Sequence, residues 1–252
     1  MKSDNVLILP GWLNSGPDHW QSRWQAAHGY TRVEQHDWGR PLRGDWIARL
    51  EDVVLAQNAD LPITLVAHSL GCLLVAAWAA LSRNTHRVKC AFLVAPCDVA
   101  LPALRPVLTT WRPSPQCPAT KPTPPARRPV LLTPTPTPMP RQMPASTPTP
   151  TPPALPFKNV VLASRTDPHC SYEQAQALAR IWGSTWIDCG ARGHINAESG
   201  LGDWPEGHEL LLALQREASM ASETTSKTTV RRNSRDKCAS TENPNRPMKA
   251  ID

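Results

Sequence analysis

The sequence predicts an α/β fold: a three-layer α/β/α sandwich around a mainly parallel sheet of about six strands. Three observations carry that expectation. Short, almost wholly apolar runs recur at Val6–Leu9, Ile63–Ala67, Cys90–Ala95 and Asn159–Ser164, the pattern of strands covered on both faces. Between them lie segments with apolar residues every three or four positions, the helical rhythm. Strand and helix alternate, which asks for right-handed crossovers and helices on both sides of the sheet.

The first run is stopped by Pro10-Gly11, so a buried strand delivers a loop at its carboxyl end. Asp18 to His28 then places Trp20, Trp24 and Ala27 at helical spacing, a core-facing side rather than a ligand site. Thr31–Gln35 fits a modest edge strand. Asp45–Ala56 is an amphipathic helix with Trp46, Leu50, Val53 and Val54 inward and Asp45 as its N-cap. Ile63–Ala67 is a strand and Leu70–Leu81 an alanine-rich helix, with Ser69 at the joint between them. Cys90–Ala95 is the next strand, stopped by Pro96, and Asn159–Ser164 the one after it. Ser171-Tyr-Glu-Gln174 is a capping-box pattern that starts a helix running to Trp182. Thr185–Cys189 is a last short strand, and Glu206–Leu214 a closing helix.

Composition sets the limits of this domain. Nineteen of the 28 prolines fall between Leu101 and Lys158, where they remove ladder donors and forbid helix interiors. The expected organisation is therefore one domain formed by residues 1–97 and 157–217, a disordered proline- and threonine-rich insertion at 98–156, and a disordered polar tail at 218–252. The insertion begins and ends abruptly, as either a genuine low-complexity segment or a reading-frame disturbance would. Charge follows the same division. Leu101–Lys158 holds seven basic and no acidic residues, and Arg216–Asp252 eight and five, which leaves 12 basic and 16 acidic residues elsewhere. The overall +6 thus belongs to the two irregular segments, and a nucleic-acid partner for the folded part is not expected.

Seven cysteines without a C-x-x-C pair, and no His/Cys cluster at zinc spacing, predict reduced thiols, no metal and no cofactor. The four-residue apolar run near the N-terminus is too short for a signal peptide or an anchor. A monomeric cytoplasmic protein without membrane association is the expectation.

The chemistry-bearing residues are those that follow strands, because open α/β sheets bind ligands at the carboxyl ends of their strands. Ser69 follows the third strand, Asp167 the fifth and His194 the sixth. Ser69 lies in Ala67-His-Ser-Leu-Gly71, a small-x-Ser-x-small turn that would expose its hydroxyl over a helix N-terminus. A serine capping a core helix is the plainer alternative. What favours the first reading is the order serine, acid, histidine, the chain order of α/β-hydrolases. A serine hydroxyl needs a base within reach, a histidine has the pKa for that work, and a carboxylate on its other nitrogen fixes the tautomer. Backbone N–H groups of Leu70 and Trp12 are the expected oxyanion donors. His68 is expected to form a pocket wall or a buried hydrogen-bonding group rather than act as base, Asp188 and Asp98 are weaker candidates for the acid, and Cys170 is expected to be structural.

The motifs PGWLNSGPDHWQ, QHDWGRP, VAHSLGC, SRTDPHCSYEQA and GARGHINAESGLGDWPEGH resemble those of small serine hydrolases of the retinoblastoma-binding-protein-9 type, particularly their bacterial relatives. The resemblance covers Asn5–Cys97 and Phe157–Leu214, roughly 150 residues. It implies an α/β-hydrolase fold without a large lid, Ser69 as nucleophile, Asp167 as acid, His194 as base, and hydrolysis of small esters or amides. The alternatives are amidase or peptidase chemistry on the same residues, or an impaired hydrolase scaffold that recruits partners through its proline-rich segment.

Overall fold

The structure, a computed structural model, describes residues 5–112 and 154–221. Six strands, β1 (Asn5–Leu9), β2 (Thr31–Arg32), β3 (Ile63–His68), β4 (Val88–Val94), β5 (Lys158–Ala163) and β6 (Thr185–Asp188), form one sheet in the order β2-β1-β3-β4-β5-β6. Every pairing is parallel. This is the parallel sheet between two helical layers that the apolar runs predict, and it agrees with the α/β-hydrolase fold that the resemblance implies.

Side chains alternate across the sheet with a period of two. Leu7, Leu9, Leu65, Leu93 and Val161 point to one face, where Trp46, Leu50, Leu74, Val75, Trp78 and Trp182 cover them. These come from helices α2 (Arg43–Ala56), α3 (Leu70–Ala79) and α4 (Tyr172–Trp182). Val6, Val66, Phe92, Val94, Val160 and Leu162 point the other way, beneath Trp20, Trp24, Trp204 and Leu211. Helix α1 (Trp20–His28) and a closing helix α5 at residues 205–221 supply that second layer. Trp20, Trp24 and Trp204 meet at centroid distances of 4.7–5.9 Å, so the indole pair of α1 is core, as its spacing indicates.

Several boundaries differ from the sequence expectation. β2 is two residues long, and the Val33 N–H still reaches the Ile8 carbonyl before the chain leaves the sheet edge. Helix α2 begins at Arg43, and its N-cap position, Leu42, forms no side-chain cap bond. Asp45 instead lies in the first turn, where its charge complements the helix dipole. Ser171 does cap α4, its Oγ accepting from the Gln174 N–H at 3.1 Å. Helix α5 outruns the expected Leu214 because buried Leu211, Leu214 and Ala218 continue the apolar side.

Residues 98–112, placed by composition in the insertion, form turns and a short 3-10 helix at Thr109–Trp111. Leu104, Leu108 and Trp111 are buried in the core, and Trp111 Nε1 donates to the Pro41 carbonyl at 2.8 Å. At the other end, Leu155 N–H bonds the Trp182 carbonyl at 3.0 Å. The rest of the expected insertion, 113–153, and of the expected tail, from 222 onward, lies outside the described residues. Among the described residues, no helix is long and apolar enough to cross a membrane.

Strand order positions the site. The chain passes from β1 to β2 on one side and then to β3 on the other, so the crevice beyond β1 and β3 is where the winding reverses and where such sheets bind ligands. Gly11-Trp12 and Ser69 leave the sheet there.

Candidate active site

Ser69 stands between β3 and α3 with φ 55° and ψ −119°, a conformation that non-glycine residues adopt only when their surroundings impose it. The surroundings here are backbone. Its N–H bonds the Val94 carbonyl at 3.0 Å, and its carbonyl accepts from the Cys72 N–H at 3.0 Å. A Cβ on Gly71 would lie 2.2 Å from the Leu9 carbonyl oxygen, and one on Gly11 would lie 2.8 Å from Ser69 Cβ. Both glycines are therefore demanded by the closeness of this turn to the end of β1. Ala67, where such turns usually carry glycine, is fully buried and fits.

His194 follows β6 in a loop braced on several sides. Gly193 N–H donates to Thr166 Oγ1 at 3.1 Å and Arg192 N–H to Ser164 Oγ at 2.9 Å. Trp20 Nε1 donates to the Ile195 carbonyl at 2.8 Å. His68 Nε2 lies 2.9 Å from the His194 carbonyl; a carbonyl only accepts, so His68 carries its proton on Nε2. His68 is thus a buried support whose ring meets His194 edge-on at 4.8 Å. Burial holds its pKa well below the usual value, which keeps it neutral.

The structure brings Ser69, His194 and Asp167 together. His194 Nε2 is 2.9 Å from Ser69 Oγ, and His194 Nδ1 is 2.9 Å from both oxygens of Asp167. The carboxylate side chain is 3% exposed and the imidazole 9%. Asp167 also accepts the His169 N–H at 2.8 Å. Since a carboxylate only accepts, the neutral imidazole carries its proton on Nδ1 and leaves Nε2 to accept from the serine. That is the arrangement general-base activation of a hydroxyl requires.

The other acids are occupied elsewhere. Asp188 pairs with Arg165 and accepts the Gly190 N–H at 2.8 Å, and Asp98 accepts the Ala100 N–H at 2.8 Å. Cys170 is buried, and burial pushes its thiol up to about 12, far from thiolate chemistry. The serine hydrolase family model matches residues 6–213.

The chain belongs to the serine hydrolase family. Among solved structures, a protein described as a YdeN-like hydrolase from Pectobacterium atrosepticum aligns at 21% identity with a TM-score of 0.62, covering 85% of this chain and 91% of that one. The ydeN gene product of B. subtilis aligns at 17% identity with a TM-score of 0.56, covering 84% and 98%. Similarity of that order shows a shared fold. Comparison with curated proteins gives no match.

In this serine hydrolase, Ser69 opens onto a pocket of about 440 Å³. Gly11, Trp12 and Leu70 border it. The N–H groups of Trp12 and Leu70 form no hydrogen bond to the protein among the described residues. Trp12 is steadied by its indole, which donates to the Gly39 carbonyl at 3.1 Å. Cys97 lies against Ser69, its thiol raised to about 12 by burial.

Several pocket residues are absent from the sequence expectation, among them Leu104, Leu108 and His19. Leu104 and Leu108 form the pocket's apolar wall; the signal was Leu101, Leu104, Leu108 and Trp111 at helical spacing, hidden beside the proline tract. His19 also lines the pocket. It N-caps α1, with Nδ1 accepting from the Gln21 N–H at 3.1 Å, and its Nε2 has no hydrogen-bond partner among the described residues. Burial above all, then the nearness of His194 and Arg32, lowers its pKa to about 3. Nothing in its local sequence distinguishes it from an ordinary capping residue. Among the described residues, no group of three or more His, Cys, Asp or Glu side chains is arranged to hold a metal ion.

Proposed function

We propose that this serine hydrolase cleaves small carboxylic esters through an acyl-enzyme on Ser69. The observation that carries the reading is the hydrogen-bonded chain from Ser69 Oγ through His194 to Asp167, with 2.9 Å at each contact, standing at the mouth of the pocket. In the first step Ser69 Oγ attacks the ester carbonyl while its proton passes to His194 Nε2. Asp167 stabilises the imidazolium as it forms. The carbonyl oxygen becomes an oxyanion held by the N–H groups of Leu70, at the start of α3, and Trp12. Collapse expels the alkoxide, which takes the proton from Nε2. A water activated by the same nitrogen then attacks the acyl-enzyme, the acid leaves, and Ser69 regains its proton.

The mixed lining of the pocket, apolar Leu104 and Leu108 together with polar His169 and Asn196, suits an ester with a short apolar acyl group and a polar leaving group. The motifs quoted above favour kinship with the retinoblastoma-binding-protein-9 type. Buried Cys72, Cys97 and Cys170 are free thiols, which suits the reducing cytoplasm. Amide hydrolysis by the same residues is the second reading, and kcat/KM for matched ester and anilide substrates separates the two. The test of the first is turnover of p-nitrophenyl acetate and butyrate. Ser69→Ala should lower kcat by about a million-fold, and a folded Ser69→Ala protein with wild-type turnover would end the proposal.

A further inference from the structure

The loop from Gly11 to Gly16 carries the Trp12 N–H, yet none of its own side chains takes part in the proposed reaction. It is not a relaxed loop. Leu13 and Asn14 both have φ in the left-handed region, 66° and 67°, at a cost that their surroundings must offset. A partly buried polar network does so. Arg32, at the end of β2, donates from Nη1 to Asn14 Oδ1 at 2.5 Å and to the Ser15 carbonyl at 3.1 Å. Its Nη2 donates to Ser22 Oγ at 2.7 Å, and its Nε to Gln25 Oε1 at 2.8 Å. Ser22 Oγ passes a further bond to the Ser15 carbonyl at 2.8 Å.

Gln21 joins this network to the sheet. Fully buried, it donates from Nε2 to the carbonyls of Leu9 and Val66 at 3.3 and 3.1 Å, and its Oε1 accepts from Ser15 Oγ at 2.7 Å. Leu9 and Val66 belong to β1 and β3, the two strands that deliver Trp12 and Ser69. One amide therefore sets the loop against both.

Arg32 is costly to keep. Its side chain is only 7% exposed, and its ion-pair partner, Glu34, lies 3.8 Å away and is 58% exposed. A buried cation that spends its donors on neutral oxygens is a poor source of stability. Its Nη1 instead holds Asn14 and Ser15 of the segment whose shape decides where the Trp12 N–H points, while Nη2 and Nε tie that segment to Ser22 and Gln25 of α1.

We propose that Arg32 and Gln21 are positioning residues that hold the Gly11–Gly16 loop so that the Trp12 N–H meets the developing oxyanion. The inference rests on the hydrolase reading given above. An oxyanion-hole role separates from plain structural support by substrate chemistry. A thionoester develops charge on sulfur, which is larger and a weaker acceptor, so an enzyme with an intact N–H hole prefers the oxygen ester.

The experiment measures kcat and KM for a matched oxo- and thionoester pair in the wild type, Arg32→Met, Arg32→Lys and Asn14→Gly. Asn14→Gly keeps the left-handed backbone accessible while removing the acceptor of Arg32, so it tests the network even where loss of the guanidinium prevents folding. Arg32→Met and Asn14→Gly should lower kcat for the oxygen ester about 10- to 100-fold, less than outright loss of a donor. KM should stay within about two-fold, and the oxo-to-thiono preference should shrink toward one; Arg32→Lys should recover part of both. Folded variants with wild-type preference and kcat overturn the inference while leaving the hydrolase reading intact. A folded wild type that turns over neither ester overturns both.

Discussion

The most constrained residue is Ser69, and the constraint comes from its neighbours rather than from the serine. Its positive φ is held because the carbonyls of Leu9 and Pro10 crowd Gly71 and because Gly11 lies against Ser69 Cβ. Gly71→Ala should therefore strain the joint itself. Overpacking against backbone costs on the order of 3 kcal/mol, and a drop of roughly 10 °C in Tm by thermal denaturation is expected, with hydrolysis lost in parallel. Asp167→Asn is the complementary change. The amide oxygen can still accept the His169 N–H, so Tm should stay close to wild type, while kcat falls by about 10⁴-fold because the His194 tautomer is no longer fixed. Steady-state ester kinetics beside a melting curve check both. Ser69, Asp167 and His194 were legible in the sequence because each follows a strand and together they stand in hydrolase order. His19 was not, since its place in the pocket depends on how α1 crosses the end of β1, and no local pattern encodes that.

Among the elements, the stretch at residues 98–112 departs most from the sequence expectation. Its prolines resemble those of the tract that follows, but its apolar residues repeat at helical spacing, and they decide the outcome. Trp111 meets Trp46 edge-on at 5.9 Å and bonds the Pro41 carbonyl, so Trp111→Ala should cost about 3–5 kcal/mol, measured by urea denaturation. Leu108 faces both the core and the pocket. Leu108→Ala should shift preference toward longer acyl chains across a p-nitrophenyl ester series, whereas an unchanged profile would remove Leu108 from the acyl wall. The long strands were readable as unbroken apolar runs. β2 and the start of α2 were less so, because edge pairing and cap geometry depend on which backbone groups already have partners.

Over the whole molecule, the parallel run of the strands brings the carboxyl ends of β1, β3, β5 and β6 to one rim, and the same convergence gathers histidines. His19, His68 and His169 surround the site with lowered pKa values, burial being the first cause in each case. The consequence for stability has a definite sign. His19 has a pKa of about 3 when folded against 6.5 when free, so below pH 6.5 the unfolded chain binds the extra proton. The contribution is fully present above pH 6.5 and is lost progressively as pH falls toward 3. Tm should thus decline from pH 7 to pH 4, and His19→Gln should flatten that decline; an unchanged slope in the variant would show that His19 is not buried neutral.

Covalent capture tests the proposed role of Ser69 as nucleophile. The full chain is treated with a fluorophosphonate probe, then digested and mapped by mass spectrometry, with and without prior incubation with butyrate ester. One adduct on Ser69 is expected, slowed by the ester and absent from Ser69→Ala and from His194→Ala on the same timescale. A folded protein that stays unlabelled, or one labelled at another residue in wild type and Ser69→Ala alike, would contradict that role.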